Sequence, residues 1–352
     1  MKSRVAIILT LLLFFISSCK GKKVFSDAIN INLYKDSLIC VNLSEYKYSI
    51  LNSPQVIGAI DRVCFSDKSD VLLKTGKLLF LYSQEGKYIT SISRLGRASN
   101  EYLSILDFGF KGDFIYLYDM NGKKMMFFDK NGKHLYNYLL PEGIEVKPFQ
   151  LIIPIGNHYI GKRMYCGFPS FPELSLYDSN FKYIKTINGS NMHLRSGIYL
   201  SSQFASYSDE SVLYNRLFDT KIYEVKCDTA IVRFNVVFDE KTIDIDAYKD
   251  EYEILKEINK KKCAYSTLID NIEYDCGKLT FSYAYTKDKN GYRIASYDCD
   301  SKRSNHYSFN IDEQIAYACA YKGTMYVFTQ TEEGRTKLYY VPFPEVANHV
   351  CL

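Results

Sequence analysis

The sequence predicts an all-β fold: a six-bladed β-propeller with a short helical insertion between blades four and five. Three observations predict it. A phrase of β-favouring aromatics, a polar turn and a second extended run recurs six times, at 80–88, 127–133, 176–182, 222–228, 295–300 and 338–342. The aromatics before the turns (Tyr82, Phe128, Tyr177, Tyr223, Tyr297 and Tyr339) are spaced by 46, 49, 46, 74 and 42 residues, and a period in the forties with strand-forming content marks a propeller blade. The chain has 32 Tyr and 22 Phe but no Trp, which suits pleated surfaces half-buried between neighbouring sheets. Its breaks are turns with a mechanism, since Asn121-Gly122 and Asn131-Gly132 supply the positive φ that tight hairpins need.

The elements follow in order. Residues 1–18 read as a secretory signal: Lys2 and Arg4 precede an apolar run, 5–16, too short and wrongly flanked to span a bilayer. The run ends in Ile16-Ser17-Ser18-Cys19, which resembles the bacterial lipobox and implies that Cys19 is lipidated and becomes the new N-terminus. Residues 19–30 are then the lipidated Cys and a tether, basic at 20–23, and 31–352 form one propeller domain. Acyl chains hold such a protein to a membrane at roughly 0.8 kcal/mol per buried methylene. Blade one is expected at 56–92, with strands 56–65, 71–74, 78–82 and 88–92. Blade two comprises 103–110, 114–118, 124–128 and 134–139. Blades three to six cover 149–187, 197–238, 265–309 and 315–346. Blade six shows only three strands, and the N-terminal run 38–41 is expected to supply the fourth, because an unclosed ring leaves edges exposed. The insertion, 244–263, reads as a helix with Tyr248, Tyr252, Leu255 and Ile258 on one face, Asp244 or Asp246 at its start and Lys260 to Lys262 at its end. It is expected to be a lid on the rim of the ring or an element that docks a partner.

One loop carries a family resemblance. Arg94-Leu95-Gly96-Arg97-Ala98-Ser99-Asn100-Glu101-Tyr102 resembles the Gly-x-Gly-Pro-Gly-Glu-Tyr/Phe signature of six-bladed, TolB-like β-propeller lipoproteins that abound in Bacteroidetes. Ile115-Tyr116-Leu117-Tyr118-Asp119 and Phe128-Asp129-Lys130-Asn131-Gly132-Lys133 are similar to that family as well. Ala98, Ser99 and Asn100 depart from its Gly, Pro and Gly, whereas Gly96, Glu101 and Tyr102 are retained. The resemblance implies fold and export; it assigns no activity.

Composition narrows the chemistry. Losing Lys2 and Arg4 with the signal takes the formal charge from +4 to +2, and without a long basic block nucleic-acid binding is disfavoured. Ten Cys include Cys19; the others, from Cys40 to Cys351, show no metal-ligand spacing and read as small buried side chains with at most one disulfide. The five His fall in different blades or tails, and no nucleophile elbow, zinc motif or phosphate loop is present, so no catalytic residue, metal or cofactor is assigned. The Asp-x-Asn-Gly phrases at 119, 129 and 288 lack the later ligands of a calcium loop and read as turns. Propellers bind ligands where loops converge on the channel mouth, and Arg94, Arg97, Glu101 and Tyr102 are the candidates there, through charge-assisted hydrogen bonds to a carboxylate or sugar. The competing reading has Glu101 capping backbone amides and Tyr102 packed between blades. Asp36-Ser37-Leu38 and Asp228-Thr229-Ala230 resemble a Bacteroidetes O-glycosylation acceptor, which nominates Ser37 and Thr229. The expected function is a lipid-anchored, extracytoplasmic binding or scaffolding module with a protein or glycan partner at the channel mouth or helical insert. The alternatives are a lactonase- or glycan-lyase-like propeller enzyme and an accessory subunit of an outer-membrane uptake or sensing complex. The basic tether favours a protein facing the periplasm.

Overall fold

Alternating apolar positions on short strands, each ended by a tight turn, can be buried only by stacking one small sheet on the next. The computed structural model describes residues 28–140, 149–163, 174–189, 204–216, 218–244, 247–248, 251–260, 265–288 and 291–344. Six antiparallel sheets follow in sequence. Blade one comprises Arg62–Phe65, Val71–Thr75, Leu78–Tyr82 and Tyr88–Ile92; blade two, Asp107–Lys111, Phe114–Asp119, Lys124–Phe128 and His134–Leu139. Blade three comprises Phe149–Ile155, His158–Arg163, Leu174–Tyr177 and Tyr183–Thr186; blade four, Phe204–Ser208, Ser211–Asn215, Lys221–Val225 and Thr229–Phe238. Blade five comprises Ser266–Asp275, Lys278–Tyr285, Tyr292–Asp298 and Arg303–Asn310. Blade six takes Gln314–Tyr321, Thr324–Gln330 and Thr336–Pro342. The first strand of each blade touches the first strand of the next, and the circuit closes from blade six to blade one, so these strands line the axis. Among the described residues the buried apolar side chains form one cluster at each of the six blade–blade junctions.

Closure comes from the N-terminal chain, but not from the run expected. β1 (Ile29–Leu33) lies parallel along the outer strand of blade four, and β2 (Leu38–Asn42) along that of blade five. β3 (Tyr48–Ile50) pairs antiparallel with Thr336–Pro342 and is the fourth strand of blade six. The chain therefore passes blades four, five and six in ring order before entering blade one. Residues 38–41 are taken by blade five because the chain reaches it first, and Val41 is buried there beside Phe309 and Ile315. A three-residue strand with one apolar end carries too little periodicity to be read beforehand. The run 56–61 is likewise not strand, and Val56 is 84% exposed.

The insertion holds one helix among the described residues, α1 (Glu251–Asn259). Ile254 is buried against Phe218, Ile243 and Tyr265, with Tyr248, Leu255 and Ile258 beside them. Tyr252, expected on the packed face, is 64% exposed. The helix begins at Glu251, so Tyr248 belongs to the preceding turn and does not set its phase. Phe218 lies in the turn between the second and third strands of blade four, so α1 sits over that face of the ring.

Candidate functional site

The inner strands place polar side chains at the axis, and most are engaged with one another. Arg62 of blade one is paired with Asp107 of blade two at 2.6 Å, both buried. Asp107 also accepts the Phe108 amide at 2.8 Å and the Ile152 amide of blade three at 2.9 Å, so one carboxylate ties three blades together. The Arg62 guanidinium lies 4.2 Å over the Phe108 ring and donates to the Phe108 carbonyl. Burial works against its charge, but Cys64, Asp107 and Tyr116 more than offset that and raise its pKa. On the opposite side of the ring, Tyr317 donates to Asn271 Oδ1 at 2.5 Å, and Asn271 Nδ2 donates to Ser282 Oγ at 2.9 Å. Such networks hold only when satisfied, because an unpaired buried polar group costs about 1–3 kcal/mol.

Glu273 is a carboxyl that stands outside these networks. It lies on the inner strand of blade five, close to the turn at 275–277, and is partly exposed. Its carboxyl makes no hydrogen bond or ion pair with the described residues. Burial first, then repulsion from Asp275, pushes its carboxyl up to about 8, with Lys322 acting the other way. Around this mouth the turns of blades six and one are joined. Tyr321 stacks on Phe65 at 4.7 Å and donates to the Ser66 carbonyl at 3.0 Å, while Lys322 donates to the Asp67 carbonyl at 2.9 Å. The mouth is thus a rigid rim of aromatic and polar groups around one carboxyl with free hydrogen-bonding capacity. Sequence offered no signal for it, because nothing local marks which strand residues face an axis.

The loop that carried the resemblance sits between the outer strand of blade one and the inner strand of blade two. Tyr102 is fully buried in the junction of those blades, its hydroxyl 2.6 Å from the Lys77 carbonyl and 2.9 Å from that of Ile92. Glu101 Oε2 accepts the Ala98 amide at 2.9 Å, and a Cβ on Gly96 would stand 2.0 Å from that oxygen, so a larger residue there would displace the carboxylate from this bond. Lys124 donates to the carbonyls of Ala98 and Glu101 at 3.2 and 2.6 Å. These bonds hold the loop in place. Arg94 and Arg97 are exposed. The four residues therefore share one loop, but two of them are engaged in building it.

Another cluster was missed from sequence. Tyr283, Arg293 and His306 stand on consecutive strands of blade five. Tyr283 Oη is 2.5 Å from His306 Nδ1, and His306 Nε2 is 3.0 Å from the Tyr34 carbonyl, so Nε2 carries the proton and Nδ1 accepts. Arg293 binds Asp288 at 2.6 Å and lies 3.6 Å from Glu240. Burial lowers the His306 pKa, keeping the ring neutral. The network anchors the N-terminal chain and the base of the insertion.

Among the described residues no group of three or more His, Cys, Asp or Glu stands close enough to hold a metal ion. Six cysteines are described and all are free thiols; Cys40 and Cys276 are exposed, unlike the buried side chains expected, whereas Cys319 is buried. Ser37 donates to the Tyr34 carbonyl at 2.8 Å in a short 3-10 turn, and Thr229 is exposed at the start of its strand. Cys19 lies outside the described residues.

Residues 52–333 match the model of the DUF5128 family, described as a six-bladed β-propeller. The chain belongs to that family. In fold it is similar to a candidate exported protein of Bacteroides fragilis NCTC 9343, with a TM-score of 0.64 at 14% identity over 90% of this chain and 99% of that one. It is also similar to a member of the DUF4221 family from Bacteroides vulgatus, with a TM-score of 0.55 at 11% identity over 83% of this chain and 95% of that one. No curated protein matches the sequence. No helix among the described residues is long and apolar enough to cross a membrane.

Proposed function

We propose that this family member is a lipid-anchored binding module working outside the cytoplasm, holding an uncharged polar ligand such as a glycan at the channel mouth beside Glu273. The observation that carries the reading is that carboxyl, partly buried and unbonded on an axis where the neighbouring polar groups are engaged. A carboxyl that stays protonated near neutral pH both donates and accepts, which suits hydroxyl groups, and the adjoining Tyr321 and Phe65 rings suit the apolar face of a sugar. Export is supported by the signal-like N-terminus and by the likeness to a candidate exported protein, and anchoring by the lipobox at Cys19. The basic tether at 20–23 supports a position facing the periplasm. A lactonase- or lyase-like enzyme needs an acid–base pair open to the channel. The His306–Tyr283 pair comes nearest in kind, but both ring nitrogens are bonded in the interior between blades four and five.

The test is calorimetric titration of the mature chain, carrying Cys19→Ser, with a panel of neutral oligosaccharides. A ligand found there is expected to lose its affinity in Glu273→Lys and keep it in Arg97→Ala. Binding that survives Glu273→Lys places the site elsewhere and overturns the proposal.

A further inference from the structure

Each blade ends in an outer strand whose edge needs managing, because unpaired backbone N–H and C=O groups template further strands. The chain covers two such edges itself, laying β1 on blade four and β2 on blade five. Blade six ends in β3, only three residues long. The outer strand of blade three, Tyr183–Thr186, carries Lys185. That of blade one, Tyr88–Ile92, holds Thr90 against the Gly132 turn of blade two. Blade two differs from all of these. His134–Leu139 is six residues long, contains no Lys, Arg, Asp or Glu, and stands at the end of its sheet. Leu135 is 40% exposed, Tyr136 51% and Leu139 73%, so three of the fourteen exposed large hydrophobic residues among those described fall on this one strand.

We infer that the outer edge of blade two is a self-association surface, on which a second copy of this chain lays its own His134–Leu139 strand antiparallel. The strand is self-complementary in that arrangement. With Asn137 near the two-fold axis, Leu135 of one copy faces Leu139 of the other and Tyr136 faces Tyr138, so apolar groups meet apolar groups and no like charges are opposed. Asn137 is already bonded within its own subunit: Nδ2 donates to the Ser99 carbonyl at 2.5 Å and Oδ1 lies 2.7 Å from His134 Nε2. Its amide therefore makes no demand on the junction. Two four-stranded blades join into one eight-stranded sheet, closing the longest uncharged edge described. A peptide added in parallel, as β1 and β2 are, has no such built-in match.

Sedimentation velocity of the mature chain carrying Cys19→Ser tests this across concentration. Wild type is expected to show a concentration-dependent dimer that persists in high salt, because no ion pair holds it. Leu135→Lys with Leu139→Lys should be monomeric throughout, with an unchanged thermal melt, while Ile184→Lys on blade three should still dimerise. In a separate variant, Leu135→Cys with Leu139→Cys should form an intermolecular disulfide on oxidation. A wild type that is monomeric at every concentration, or a dimer indifferent to the lysines, overturns the proposal. So does an edge that takes up an extended peptide but not a second copy.

Discussion

At the residue scale the structure separates side chains that hold the ring from those left free. Asp107 accepts from Arg62 and from two backbone amides on different blades, so removing it strands a buried guanidinium. Asp107→Ala is expected to cost about 3–5 kcal/mol in urea unfolding, the range for breaking a buried pair at one end. Replacing both partners, Arg62→Met with Asp107→Leu, should recover only the part due to the stranded guanidinium, because the Phe108 and Ile152 amides still lose their acceptor. Glu273 makes a prediction in pH. Its folded-state pKa is raised from 4.5 to about 8, so the stability it contributes is fully present below about 4.5 and is lost as pH rises to about 8. The melting temperature of wild type should therefore fall relative to Glu273→Gln across that window and run parallel to it above. A constant difference between the two proteins over the whole range would show that the carboxyl is not buried as described. Neither residue announces itself in the sequence. Arg62 and Asp107 are 45 positions apart, and Glu273 looks like any acid before a turn.

At the scale of elements, the hairpin turns between the third and fourth strands of blades one, two, three and five each hold one residue in the left-handed region. Gly86 and Gly132 take φ of 78° and 74° in blades one and two, but Phe181 and Lys302 take 57° and 56° in blades three and five. Phe181 is buried and stacks on Tyr159 at 4.7 Å, so its packing offsets the strained backbone. Lys302 is exposed and has no such return. Lys302→Gly is expected to stabilise the protein by about 0.5–1 kcal/mol in chemical denaturation, since a left-handed conformation costs a side chain more than it costs glycine. An unchanged or lower midpoint would contradict the strain assigned to that turn. The N-terminal strands make the opposite prediction. Deleting 28–50 removes the covering of blades four and five and the fourth strand of blade six, whereas deleting 20–23 leaves every described strand in place. The first deletion should lower the melting temperature severely or abolish folding, and equal melting of the two would disprove that the N-terminal strands hold the ring.

For the whole molecule, the lipid anchor proposed at Cys19 is expected to be separable from the ring. Cys19→Ser should leave the propeller folded, unlipidated and in the soluble fraction; palmitate labelling that persists in the variant would refute the lipobox reading. The ring is a circle of contacts between neighbouring blades, completed by the sequence-distant pairings of β1, β2 and β3 and by the seam between blades six and one. Its integrity therefore rests on a segment almost the whole chain length away from its partner strand, and folding cannot finish until both termini have met.

By itself the sequence determined the fold class, the blade number and the places of the clearest turns, because these depend on local periodicity; of the two Asn-Gly pairs expected to supply positive φ, Gly132 does so at 74°, whereas at Asn121-Gly122 the left-handed residue is Lys123, at 51°. The phrase at 94–102 likewise marked a loop that the structure shows to be bonded on itself. Only the tertiary structure decided which N-terminal run closes the ring, which helix face is buried and which side chains meet at the axis. Residues 38–41 and 48–50 are both plausible strands, and the choice between them is made by which blade the chain passes first. Likewise Tyr283, Arg293 and His306 become neighbours only when three strands pair in register, and Glu273 is left unbonded only because of how blades five, six and one converge. Periodicity is a local property of the chain, whereas facing an axis is a property of the closed ring.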